Sequence, residues 1–229
     1  MKQPVIAIDG PAASGKSTVA ARAAQVLGAV NVNTGAMFRA VTLAGMRRGV
    51  RTPEDCTEER FQAILNEIRL TYAADADGQM ELQLDGAFPG AELRSPAVAA
   101  LVSPVATLGC VREYLKKWQR SLAETLDGRL MVMEGRDIGT AIFPDARWKF
   151  FITATPEERA RRRLAQSGEN VSGATLAQVA AQIAERDRID STRAIAPLRP
   201  APDAEQIDTT GMTIDEVVKR VTDRVRHEI

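Results

Sequence analysis

Val5-Ile6-Ala7-Ile8 is an unbroken apolar run, as expected of a strand buried on both faces. A glycine-rich stretch follows it. Beyond that, Val19, Ala20, Ala23, Val26 and Leu27 recur at helical spacing, with Gly28 placed to end the helix. The chain therefore opens strand, loop, helix. Leu130 to Met133 and Trp148 to Thr153 predict further buried strands, and Gln206-Ile207-Asp208 a weaker one. Thr213-Ile214-Asp215-Glu216 reads as a capping box, ahead of a helix with Ile214, Val217, Val218, Val221 and Val225 on one face. Strands alternating with helices predict an α/β fold, a central parallel sheet covered by helices on both faces.

The middle of the chain has a different period. Ile68 to Tyr72 and Met80 to Leu84 alternate apolar and polar residues around Asp75-Ala76-Asp77-Gly78, which predicts an antiparallel hairpin in an inserted lobe. One long helix is expected from about Pro96 to Leu126, with either Pro104 or Gly109 as the place where it would break. The whole, 1–229, reads as one domain, with the inserted lobe at 60–105 and a helical lid region at 157–190.

Composition narrows the function. Thirty basic residues balance thirty acidic ones, whereas a dedicated nucleic-acid binder carries a basic excess. Only six of the thirty cations are lysines, and arginine grips phosphate and carboxylate bidentately. A GC-rich genome explains such a bias equally well, so only arginines inside motifs are weighed. Two cysteines without metal spacing and a single histidine, His227, argue against zinc and histidine chemistry. No apolar run reaches the ~18 residues of a membrane span, and, with a strand so near the start, no signal peptide is expected. No membrane or nucleic-acid partner, a monomer and a cytoplasmic setting are the expectations.

Gly10-Pro11-Ala12-Ala13-Ser14-Gly15-Lys16-Ser17 fits G-x-x-x-x-G-K-[ST]. Glycines let backbone N–H groups wrap a phosphate at a helix N-terminus. Lys16 can reach the β- and γ-phosphates, and the Ser17 hydroxyl can bind Mg²⁺. Chance yields the pattern in roughly one chain per hundred of this length, but here it lies between a strand and a helix, as the chemistry requires. ATP binding is assigned to Gly10 through Ser17 with Thr18. The loop does not itself choose among GTPase, motor, sensor and kinase. The absence of an Asn-Lys-x-Asp guanine reader, and of an Asp-Glu strand end typical of motors, favours a small-molecule kinase.

Three more segments suggest an acceptor side. Asn33-Thr34-Gly35-Ala36-Met37-Phe38-Arg39 reads as a glycine turn feeding an arginine, although a lone arginine there is more often ordinary surface. Glu134-Gly135-Arg136-Asp137-Ile138-Gly139-Thr140 follows a buried strand, where α/β proteins bind ligands; an ion pair that shapes a turn is the plainer alternative. In Glu185 to Arg193, helical spacing puts Arg186, Asp190 and Arg193 on one face, which a solvated salt-bridged helix would also show.

Taken in order, these segments resemble the bacterial cytidylate kinases, the nucleoside-monophosphate kinases that act on CMP. The resemblance covers nearly the whole chain and includes Val111-Arg112-Glu113 and Arg193-Ala194 running into Ala196-Pro197-Leu198. It implies a P-loop kinase fold with the hairpin lobe over the monophosphate site. It also implies transfer of the ATP γ-phosphate to CMP or dCMP with Mg²⁺. Arg39, Arg136 and Arg193 would hold the CMP phosphate, Arg186 and Asp190 the ribose, and Ser103, Arg112 and Asp137 the cytosine, with Thr34 and Phe38 in the same site. Arg159, Arg162 and Arg163, at i, i+3 and i+4, would be lid arginines. Arg159 would face ATP, and Arg162 would join Lys16, Arg136 and Arg193 in catalysis; an exposed basic helix balanced by Glu157 and Glu158 is the alternative. Gly168 to Gly173 would be the lid tip. Two positions depart from the family pattern: Asn33 replaces an expected aspartate and Phe38 a frequent tyrosine.

Asp137 can accept the cytosine 4-amino proton, whereas uracil would present an oxygen there, so CMP and dCMP are expected well ahead of UMP. Because the acceptor phosphate is already an anion, alignment and charge neutralisation suffice without a strong base. Two rivals stand beside this reading: a P-loop kinase for another small acceptor, and a catalytically silent nucleotide sensor.

Overall fold

The computed structural model describes residues 3–74, 80–125, 128–165 and 173–228. By contact density the chain divides into two units. One gathers the described residues of Met1–Thr34, Gln119–Gln166 and Ser172–Ile229, and the other those of Gly35–Trp118.

The first unit is built on a five-stranded parallel sheet in the order β2-β5-β1-β6-β7. Its strands are β1 (Gln3–Asp9), β2 (Val30–Asn33), β5 (Met131–Gly135), β6 (Ala146–Thr153) and β7 (Glu205–Asp208), flanked by helices α1 (Lys16–Leu27), α6 (Pro156–Ala165), α7 (Leu176–Thr192) and α8 (Ile214–Arg226). Ile6 and Ile8 of β1 point to the face covered by α1 and α8. There they pack with Val132, Phe150, Ile152 and Ile207 against Val19, Ala20 and Ala23 of α1 and Val217, Val221 and Val225 of α8. Each buried valine, isoleucine or phenylalanine among them contributes roughly 1.5–3 kcal/mol. The expected Thr213–Glu216 box is formed, each side chain accepting the other residue's backbone N–H. Gly28 ends α1 in the left-handed conformation.

The second unit holds α2 (Thr34–Arg47, whose first residue belongs to the other unit), α3 (Glu58–Glu67), the hairpin β3 (Leu70–Ala74) and β4 (Met80–Leu84), α4 (Pro96–Thr107) and most of α5 (Gly109–Thr125). Leu70 pairs with Leu84 and Ala74 with Met80, in antiparallel register. The hairpin's expected turn at 75–79 lies outside the described residues, as does 166–172, most of the expected lid tip. Phe61 is fully buried against Gly45, where an added Cβ would come within 2.9 Å of its ring. Tyr72 and Trp118 stack with ring centroids 5.7 Å apart.

Three expectations need correction. The long helix from Pro96 is two helices bent by 92°; of its two expected break points, Gly109 is the one met, since α5 starts there after Leu108, extended at φ −67° and ψ 129°, whereas Pro104 lies inside α4. The supposed Gly35 turn is the first turn of α2, entered directly from β2. Arg193 follows α7 in extended conformation, φ −60° and ψ 143°, and does not share its helical face. Among the described residues no single helix is long and apolar enough to cross a membrane.

Candidate active site

Asp9 pairs with Gly135 in parallel register, so the glycine loop after β1 and the Arg136–Asp137 segment after β5 leave neighbouring strands at one level. This is the carboxyl edge of the sheet, where α/β folds bind ligands. At Gly10 a Cβ would stand 2.0 Å from the Ile152 carbonyl oxygen, so the close approach of loop to β6 requires glycine. Gly15 and Ala13 have φ of 90° and 57°. A left-handed alanine costs about 1–2 kcal/mol, a strain typical of binding loops.

The loop is braced from α6 and α7. Arg159 donates to the Ala12 carbonyl at 3.1 Å and to Asp187, whose other oxygen accepts the Ala12 N–H at 3.1 Å. Arg162 donates to the Ser14 carbonyl at 3.2 Å and to both oxygens of Thr209. The Lys16 ammonium lies buried on the Pro11 carbonyl at 3.0 Å. Burial first, then Arg136, push it down to about 7, while Glu134 pulls the other way. The Ser14 hydroxyl oxygen is buried with no hydrogen-bond partner. A buried hydroxyl without a partner, in a glycine loop just before the N-terminus of α1, suits a phosphate oxygen. Ser17 donates to the Glu134 carboxylate at 2.8 Å.

On the other side of β1, Arg136 Nε meets Asp190 at 3.0 Å, Arg193 meets the second Asp190 oxygen at 3.4 Å, and Arg193 also faces Asp137 at 3.5 Å. Burial raises the Asp190 carboxyl, but Arg136, Arg186 and Arg193 outweigh it and hold it below its ordinary 3.8. Arg186 also acts electrostatically on Lys16. Asp9 accepts the Ile138 and Gly139 N–H groups at 2.8 Å each. Burial pushes Asp9 up to about 7 against those two bonds; Asp137 adds to the rise and Lys16 opposes it.

The first unit thus brings together the loop residues, Arg136, Asp137, Arg159, Arg162, Arg186, Asp190 and Arg193. Thr34 is there as well, donating to the Glu134 carbonyl at 2.8 Å. Arg163 follows on α6, half-buried, and Thr18 is exposed on α1. In the second unit, the Arg112 guanidinium lies 5.7 Å from the Phe38 ring centroid and donates to the Ala106 carbonyl at 3.1 Å. Arg39 is buried and donates to the Leu93 carbonyl at 3.0 Å, and Ser103 is half-buried on α4.

Sequence reasoning assigned no role to Asp9, Glu134, Asp187 or Thr209. Asp9 and Glu134 are acids at or beside the carboxyl ends of apolar strands, and that placement was the available signal. The carboxylate missing at Asn33 has a counterpart one strand over, because Asn33 is in register with Glu134.

A sequence model of the family described as Cytidylate kinase matches residues 6–227. The chain is 46% identical over 222 residues to a cytidylate kinase of Pelotomaculum thermopropionicum, across 97% of this chain and 96% of that protein. It is 44% identical over 229 residues to a bifunctional pantoate ligase/cytidylate kinase of Prochlorococcus marinus, where it spans 43% of the longer protein. A crystal structure of an uncharacterized protein from Eubacterium ventriosum superposes with a TM-score of 0.55 at 14% identity, over 99% of this chain and 100% of that one, a likeness of fold. With a family match over nearly its full length, the chain belongs to the cytidylate kinase family.

Proposed function

We propose that this protein transfers the γ-phosphate of ATP to CMP, and to dCMP, giving ADP and the pyrimidine diphosphate. The observation that carries the reading is the juxtaposition, on adjacent strand ends, of a braced phosphate loop and a buried Arg136–Asp190–Arg193–Asp137 network. One side suits a triphosphate and the other an anionic acceptor, and a sensor needs only the first.

The loop N–H groups and Lys16 would bind the triphosphate, with Arg159 and Arg162 fixing the loop backbone from behind; Arg162, held by Glu158 and Thr209, would have to exchange those partners to reach the transferring group. The oxygens of Ser17 and Glu134 suit a hard divalent cation, and Mg²⁺ held there would neutralise charge on the β- and γ-oxygens. Arg136 and Arg193 would take the acceptor phosphate, Arg186 and Asp190 the ribose, and Asp137 the cytosine amino group. Phe38, Arg39, Ser103 and Arg112 keep the acceptor-side roles that the family resemblance gives them. The protein is taken to act as a cytoplasmic monomer in pyrimidine metabolism, with 60–105 as the acceptor-side lobe and 157–190 as the lid region.

The test is chromatographic detection of CDP from ATP and CMP with Mg²⁺. CDP formed in step with ADP, and abolished by chelation, is expected. ATP binding without CDP would replace the kinase by the sensor.

A further inference from the structure

The loop and the acceptor segment are tied by one side chain that neither of them contains. Asp9 is the last residue of β1, immediately before Gly10. Its two carboxylate oxygens each accept a backbone N–H, from Ile138 and Gly139, at 2.8 Å, and all of these groups are buried. These N–H groups belong to the two residues after Asp137. In the same peptide group as the Ile138 N–H, the Asp137 carbonyl accepts the N–H groups of Ala141 at 2.9 Å and Ile142 at 3.2 Å, closing a π-helical turn over Ile138–Ile142. The Asp137 backbone enters this turn at φ −148° and ψ 24°. The peptides on the C-terminal side of Asp137 are thus fixed by the turn and by Asp9 together. The space is closed: a Cβ on Gly139 would come within 3.4 Å of an Asp9 oxygen and 3.2 Å of the Lys149 stem.

The geometry points to Asp9 as a positioning residue for base selection: it holds the 137–142 turn so that Asp137 presents its carboxylate at one height relative to the phosphate loop. A carboxylate suits the position, since its two acceptor oxygens match the two adjacent donors one to one. A carboxamide would set its NH₂ against one of the N–H groups, leaving a buried donor unpaired and the turn free to shift. Asp9 touches neither substrate in this account and acts through Asp137. The inference rests on the CMP-kinase reading above.

The test is Asp9→Asn, assayed with ATP, CMP and UMP. Expected is a fall of about 10- to 100-fold in kcat/KM for CMP, with KM for ATP within about 3-fold of wild type and a lower CMP-to-UMP ratio. A merely structural role would lower the amount of active enzyme, and so the apparent kcat, and leave that ratio untouched. An unchanged ratio in folded Asp9→Asn overturns the inference. If that variant does not fold, Asp9→Ser, which is smaller and admits water, is read by the same ratio. In the wild-type protein the Ile138 and Gly139 amides must also exchange hydrogen far more slowly than exposed loop amides, and exchange at exposed-loop rates overturns the clamp. Lack of CMP turnover by wild type would instead fail the functional reading and is recognised before any variant is made.

Discussion

Asp190→Asn removes one charge and almost no volume, so it isolates the electrostatics of the acceptor network. In the wild type the carboxylate is nearly inaccessible, with Arg136 at 3.0 Å and Arg193 at 3.4 Å. Breaking a buried ion pair by deleting one partner costs about 3–5 kcal/mol. Arg193 keeps Asp137 at 3.5 Å and Arg136 retains some solvent contact, so the cost is reduced below that range, to about 2–3 kcal/mol. For a chain of this size each kcal/mol moves Tm by roughly 2–4 °C, so a drop of about 5–10 °C is expected in a thermal melt at neutral pH. The pH dependence supplies an internal check. The folded carboxyl is held below its usual 3.8, so its stabilisation is fully present above that value and is lost as pH falls through the lower folded pKa. The gap between wild type and variant should be constant from about pH 8 to 5 and shrink below about 4. A Tm difference under about 2 °C at neutral pH, or a gap that grows on acidification, would refute the assignment of Asp190 as the counter-charge of this cluster.

Further predictions concern the loop. Lys16 has its folded pKa pushed down to about 7 from 10.5. The unfolded state therefore binds more protons between those values, and wild-type stability should rise with pH across that window. Lys16→Met is expected to lose that rise and to be at least as stable as wild type at pH 7, while CDP formation falls by about 10²–10³-fold; melts at pH 7 and 9.5 with a turnover assay check both. Gly10→Ala must displace backbone, since its Cβ would lie 2.0 Å from the Ile152 oxygen, and should cost more than about 2 kcal/mol. Gly28→Ala has open space but a φ of 63°, and should cost only about 1 kcal/mol. Urea titrations that rank these two in the opposite order would contradict the packing described for the loop.

What the sequence disclosed follows from the range of the forces involved. The strand–loop–helix opening is local: an apolar run long enough for a doubly buried strand, then glycines and a helical stripe. The Thr213 capping box and the hairpin are local as well. Strand β2, Val-Asn-Val-Asn, was invisible because it is four residues long at a sheet edge with polar alternate positions. Gly35 suggested a turn, yet it sits in the first turn of a helix. The spacing of Arg193 from Asp190 suggested a helical face; the chain leaves the helix, and the two side chains still meet. The contacts that organise the site join residues far apart in sequence, such as Ser17 with Glu134, Ala12 with Asp187, and Asp9 with Gly139. No periodicity encodes such pairs, so residues matched to the family were legible while the acids that hold them in place were not.

The most direct test of the central claim is a coupled ADP-release assay with ATP and Mg²⁺, comparing CMP, dCMP, UMP and AMP as acceptors. Rapid turnover of CMP and dCMP with little of UMP or AMP is the result predicted from a carboxylate at Asp137 facing the cytosine amino group. Equal turnover of CMP and UMP would contradict the base-reading role, and ADP release that no monophosphate stimulates would contradict the kinase itself.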